Sequence, residues 1–119
     1  MASESQQLIG ESSSRLLADH VSPSLIESVE AGRFAEALWS QLVEQGLLLL
    51  GLDESAGGYG GTFGDQLALL RQMGRYAVPA PVAETLLANH LRALLGAEGL
   101  TLPSAVVDTR SEEHTSELQ

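Results

Sequence analysis

The chain has 119 residues, enough for one domain with a modest core, and its six basic and sixteen acidic residues give a formal charge of −10 at pH 7. All of the basic residues are arginine, so no lysine is present for a Schiff base or a phosphate loop, and so acidic a surface argues against nucleic acid, whose phosphates need clustered cations. Without cysteine there is no disulfide, zinc thiolate or thiol nucleophile.

Apolar residues recur at helical spacing nearly throughout, and strand-like alternation is scarce. The amino terminus lacks the basic head and apolar core of a signal peptide. The longest apolar run, residues 47–50, is far too short to span a bilayer, so a soluble cytoplasmic protein is expected. Leu8, Ile9, Leu16, Leu17 and Val21 fit one face of a first helix, whose middle Ser12, Ser13 and Ser14 should weaken. Ser24 with Glu27 has capping-box spacing and predicts a short second helix through Leu25, Ile26 and Val29. Gly32 stops it, since glycine takes the left-handed conformation that a helix end requires.

In the third helix Phe34, Leu38 and Leu42 form one ridge, and Ala35, Trp39 and Val43 the next, both facing one core; Gly46 ends it. Residues 47–52 are too apolar to lie exposed and too short for a further helix, which predicts a buried extended turn. Residues 57–64 hold five of the twelve glycines and read as a loop. Thr62 with Asp65 repeats the capping-box spacing and starts a fourth helix carrying Phe63, Leu67, Leu70 and Met73.

Pro79 and Pro81 forbid its continuation. A last helix follows over residues 82–95, with Leu87, Leu91, Leu94 and Leu95 on its core side, ended by Gly96 and Gly99. Ala105, Val106 and Val107 could begin a strand. Five helices with short connections predict an all-α helical bundle. Residues 110–119 can be read codon by codon from a widely used sequencing-adapter strand. They are set aside as a non-native tail, and the biological reading frame is expected to continue past Thr109.

The glycine loop invites comparison with a phosphate loop, but a helix precedes it and Gly61, Thr62 and Phe63 follow with no lysine, so a tight interhelical turn accounts for it. His20 and His90 are far apart without a second metal donor at ligand spacing, and His114 lies in the tail, so no metal site is expected. The serines gather in the first helix without a strand-turn-helix elbow. Asp53 and Glu54 sit together on a turn, where neighbouring side chains point apart. Glu84 falls in the first turn of the last helix, where the dipole favours a negative charge.

The helix ending at Gly46, the apolar run of residues 47–52, the acidic pair Asp53-Glu54, the loop Tyr59-Gly60-Gly61 and the helix closing on Gly74-Arg75 occur here in that order. With the Pro-Ala-Pro-x-Ala-Glu-Thr-Leu segment of residues 79–86, they resemble the amino-terminal helical domain of the acyl-CoA dehydrogenases. The resemblance runs over about residues 5–100 and assigns residues 1–109 to that domain, truncated at its end.

It implies a longer parent with a middle β-barrel domain and a carboxy-terminal helical domain. In that family a carboxylate removes the α-proton of an acyl-CoA thioester while the β-hydrogen leaves as hydride to FAD. The base and the flavin site belong to the other domains, so no catalytic or cofactor-binding residue is expected in this chain, and FAD is not expected to bind it alone. The resemblance instead implies one wall of the acyl pocket, made by Pro81, Val82 and Thr85 with Leu86 and Asn89.

The paired prolines depart from straight-chain members and look more like the divergent branch that handles unusual acyl-CoAs, including steroid side chains. The expected parent binds acyl-CoA and assembles as a homo- or hetero-oligomer, and the fragment is inactive by itself. The alternative is a non-catalytic helical partner subunit or interaction module.

Overall fold

Residues 3–58 and 60–104 are described by the computed structural model; Tyr59 of the glycine motif, the expected strand at Ala105, Val106 and Val107, and the tail with His114 lie outside them. Five helices follow in order: α1 (Glu4–His20), α2 (Pro23–Glu30), α3 (Glu36–Glu44), α4 (Phe63–Arg75) and α5 (Val82–Leu94). Among the described residues there is no strand, only a bridge between Leu52 and Gly60, so the expected all-α bundle is what forms. No helix there is long and apolar enough to cross a membrane.

A reciprocal cap starts α1: Gln6 N donates to Ser3 Oγ at 3.2 Å and Ser3 N to Gln6 Oε1 at 3.3 Å. The serine run does not weaken the helix. Ser12 Oγ donates to Leu8 O at 2.9 Å and Ser13 Oγ to Ile9 O at 2.6 Å, so these hydroxyls bond back onto carbonyls already in the helix. Ser14 shares a 2.9 Å hydrogen bond with the Tyr76 hydroxyl. The cap of α2 falls two residues earlier than the Ser24–Glu27 spacing predicts: Leu25 N donates to Ser22 Oγ at 3.1 Å, and Pro23 takes the first helical position, where its missing N–H costs nothing.

Gly32 and Gly46 take the left-handed conformation past their helix ends, φ 98° and 70°, as the sequence predicts. Phe34 falls just outside α3 and is exposed, with its ring edge-on to Trp39 at 5.6 Å. Residues 47–52 are not extended throughout. Leu47–Leu49 form a 3-10 turn that buries Leu47 and Leu48, and Leu52 is buried behind it. Coiling the run lets its leucines reach one core while the backbone bonds to itself.

The core joins Leu16 and Leu17 of α1, Leu38, Trp39 and Leu42 of α3, and Leu69 and Met73 of α4 to Leu48 and to Val82 and Leu86 of α5. Fully burying one leucine is worth about 2 kcal/mol, so this cluster carries most of the stability. Helices α1 and α4 run side by side in the same direction, since Ser5 meets Asp65 at one end and Ser14 meets Tyr76 at the other. Two faces differ from the sequence reading. On α4, Phe63 and Leu67 are exposed while Leu69 is buried beside the expected Met73; on α5 and at its end, Leu87, Leu91, Leu94 and Leu95 are exposed while Val82, Thr85, Leu86, Ala88 and Asn89 face inward.

Candidate functional site

The approach to α5 is a proline-framed turn. Ala77 holds a positive φ of 49°, Val82 N donates to Ala80 O at 2.9 Å, and Pro81 stands at the N-cap of the helix. Thr85 Oγ1 donates to Pro81 O at 2.7 Å and accepts from Ser104 N at 3.0 Å. One turn on, Asn89 Nδ2 donates to Leu48 O at 3.0 Å and to Leu100 O at 2.8 Å, while its Oδ1 accepts from Leu100 N at 2.8 Å. Both side chains are almost wholly buried, Thr85 at 0% and Asn89 at 1% exposure, and both are hydrogen-bonded, as buried polar groups must be.

The inner face of α5 therefore acts as a clamp. It ties the turn Leu47–Leu49 and the segment over residues 99–104 to one helix, and Trp39 Nε1 adds a 2.8 Å bond to Thr101 O. The glycine loop closes underneath, with Gly60 N donating to Leu52 O at 2.7 Å. A Cβ at Gly58 would collide with the Leu52 carbonyl, which is why this close approach needs glycine.

On the other side of α5, facing α4, lies an apolar cleft of about 210 Å³. Phe63, Gln66 and Leu70 form its α4 side, and Ala83, Leu86, Leu87 and His90 its α5 side. Gln66 is held by a 2.8 Å bond from its Nε2 to Leu50 O. Of the five residues that the family resemblance implies, Leu86 lines this cleft, Pro81 is half-buried at the helix start, and Val82, Thr85 and Asn89 are buried behind it. Sequence reasoning missed Ala83 and His90 here and assigned Leu87 and Phe63 to the core. The spacing of residues 83, 87 and 90 marks one helical stripe, but spacing does not say which stripe stays open.

Asp65 is buried in the first turn of α4. The Thr62 backbone N–H, donating at 2.8 Å, holds it below the usual carboxylate range; burial pushes the other way, and the hydroxyls of Ser5, at 2.9 Å, and Thr62 add to the lowering. It completes the expected cap with Thr62, whose Oγ1 accepts from Asp65 N at 3.1 Å. A carboxyl depressed in the folded state gives stability that is present above its unfolded range and lost as pH falls through its folded value. The urea midpoint of the chain should thus drop below about pH 4 by an increment worth about 1 kcal/mol, and Asp65→Asn should lack that increment. Parallel pH profiles for the two proteins would refute the assignment.

Asp53, Glu54 and Glu84 are exposed, and no side chain caps α5, so Glu84 acts on that helix only through its dipole. Among the described residues no group of three or more His, Cys, Asp or Glu could hold a metal. His20 Nδ1 lies 2.9 Å from Leu16 O within its own helix. At the openings of α1 and α4 one amide each is taken by the Ser3 and Thr62 caps, and the Asp65 carboxylate stands at the start of α4.

The family model of the acyl-CoA dehydrogenase N-terminal domain matches residues 3–99. The chain is 35% identical over 89 residues to the acyl-CoA dehydrogenase IpdE2 of Mycobacterium tuberculosis, covering 72% of this chain and 28% of that protein. It is 36% identical over 93 residues to IpdE2 of Mycolicibacterium smegmatis, covering 73% and 29%. The chain thus spans less than a third of the length of the curated relatives it matches. No solved structure matches it significantly. With the family model covering most of the chain, and five helices and no strand among the described residues, the chain belongs to the acyl-CoA dehydrogenase family, as an N-terminal domain of it.

Proposed function

We propose that this chain is the amino-terminal part of an FAD-dependent acyl-CoA dehydrogenase, supplies one wall of the acyl pocket and has no activity alone. The base and the flavin that carry out α,β-dehydrogenation of the thioester belong to the parent protein outside this chain. The observation that carries the reading is the open apolar cleft between α4 and α5, bordered by Phe63, Ala83, Leu86 and Leu87 beside the proline turn. Each methylene of an acyl tail removed from water against such a wall contributes about 0.8 kcal/mol.

The five residues implied by the resemblance then divide the work. Leu86 meets the acyl group; Pro81 sets where α5 begins; Val82, Thr85 and Asn89 fix the helix from behind, so that its open stripe keeps one position. Gln66 and His90 are the polar members of the rim. The cleft itself is mostly apolar, which suits an aliphatic or cyclic acyl chain.

The test is Ala83→Phe in the full-length parent. Ala83 is exposed on α5, so the larger side chain fills the cleft without entering the core. KM for the acyl-CoA substrate should rise about tenfold while the bound flavin keeps its absorbance. An unchanged KM would remove the cleft from the acyl pocket, and a parent without dehydrogenase activity would favour the non-catalytic partner subunit.

A further inference from the structure

We propose that the groove between α1 and α4 docks an acidic polypeptide segment of a partner protein. The proposal does not rest on the acyl-wall reading, because α4 separates the two features: Phe63, Gln66 and Leu70 face the cleft, whereas Gly64, Ala68, Arg71 and Arg75 border the groove. Gly10 on α1 and Gly64 and Ala68 on α4 are among the residues lining a trough of about 680 Å³ along two helices that run in the same direction. From Ser5 to Ser14 those helices stay in contact over about 14 Å at 1.5 Å per residue, a length that suits a stretch of polypeptide better than a single small anion.

Charge selects the kind of polypeptide. The chain as a whole carries −10, yet three of its six arginines, Arg15, Arg71 and Arg75, line this trough against one carboxylate, Glu11. All three arginines are exposed, and Arg71 and Arg75 stand one helical turn apart on the same edge. The bland account of Arg75 is that it answers the C-terminal dipole of α4 and lies over the Tyr76 ring at 5.7 Å. That account covers neither Arg71, in the helix interior, nor Arg15, on another helix.

Gln72 Oε1, on a residue lining the trough, is buried with no hydrogen-bond partner among the described residues; closed to solvent, it is equally closed to a docked segment, so recognition falls to the exposed arginines spaced along the trough.

The experiment uses the full chain and a fluorescein-labelled helical peptide with Glu at every fourth position, followed by anisotropy at low salt, with the matching Gln peptide as reference. The Glu peptide should bind and the Gln peptide should not. R71Q/R75Q, which changes only exposed side chains, should weaken binding about tenfold. R33Q, at an exposed arginine outside the trough, should leave binding unchanged. Three results would overturn the proposal: no binding of the Glu peptide, equal weakening by R33Q, or displacement of the peptide by inorganic phosphate as readily as by unlabelled peptide.

Discussion

Trp39→Ala is expected to destabilise the chain by about 4 kcal/mol. Trp39 is 6% exposed, belongs to the core with Leu38, Leu42 and residues of the first and last helices, and takes Phe34 edge-on at its rim. Removing the indole opens a cavity in that shared core and also releases Thr101 O from its 2.8 Å bond. Trp39→Phe separates the two effects: it keeps most of the apolar volume and loses the bond, for an expected cost of about 1 kcal/mol. Denaturant midpoints followed by helical circular dichroism would measure both. A Trp39→Ala protein within about 1 kcal/mol of the parent would mean that the ring is not part of the core.

Asn89→Ala should cost about 3 kcal/mol, because it strands three backbone groups, Leu48 O, Leu100 O and Leu100 N, around a side chain closed to water. Asn89→Asp is the sharper test. It keeps an acceptor for Leu100 N but turns a buried carboxylate towards two carbonyls, so the folded protein favours the neutral acid and the pKa of the introduced carboxyl is raised. A raised folded pKa gives stability that is full below the unfolded range and lost as pH rises through the folded value. The variant should therefore be closer to wild type at pH 4 than at pH 7, the reverse of the dependence that Asp65 gives the parent. A variant equally destabilised at both values would place Asn89 in contact with solvent rather than in a clamp.

The elements could be read from the chain because helical spacing, left-handed glycines and the Thr62–Asp65 cap are local signals, and each was met in the fold. Local signals failed where two faces of one helix compete. On α5 the leucines at 87, 91, 94 and 95 are more apolar than the face carrying Thr85, Ala88 and Asn89, yet the second is buried, since its polar groups find backbone partners inside the domain. Hydrophobicity marks a surface that must be covered; it does not say whether this domain or another part of the protein covers it. The same ambiguity hid the cleft, whose α4 side uses residues read as core. The residues carried over by family resemblance share one stripe of α5, and only the packing reveals that most of that stripe faces the 3-10 turn and the segment over residues 99–104.

The pairing of α1 with α4 bears on how the chain acquires its shape during synthesis. Ser5 finds Asp65 across 60 positions, Ser14 finds Tyr76 across 62, and Trp39 finds Thr101 across 62, so an all-helical protein has long-range closure of the kind usual in β-rich ones. Within this chain α1 is made well before α4, its main packing mate, and meets α3 in between. For that interval Leu16 and Leu17 are only partly covered, which makes the stretch around α1 the portion of this chain most in need of a chaperone.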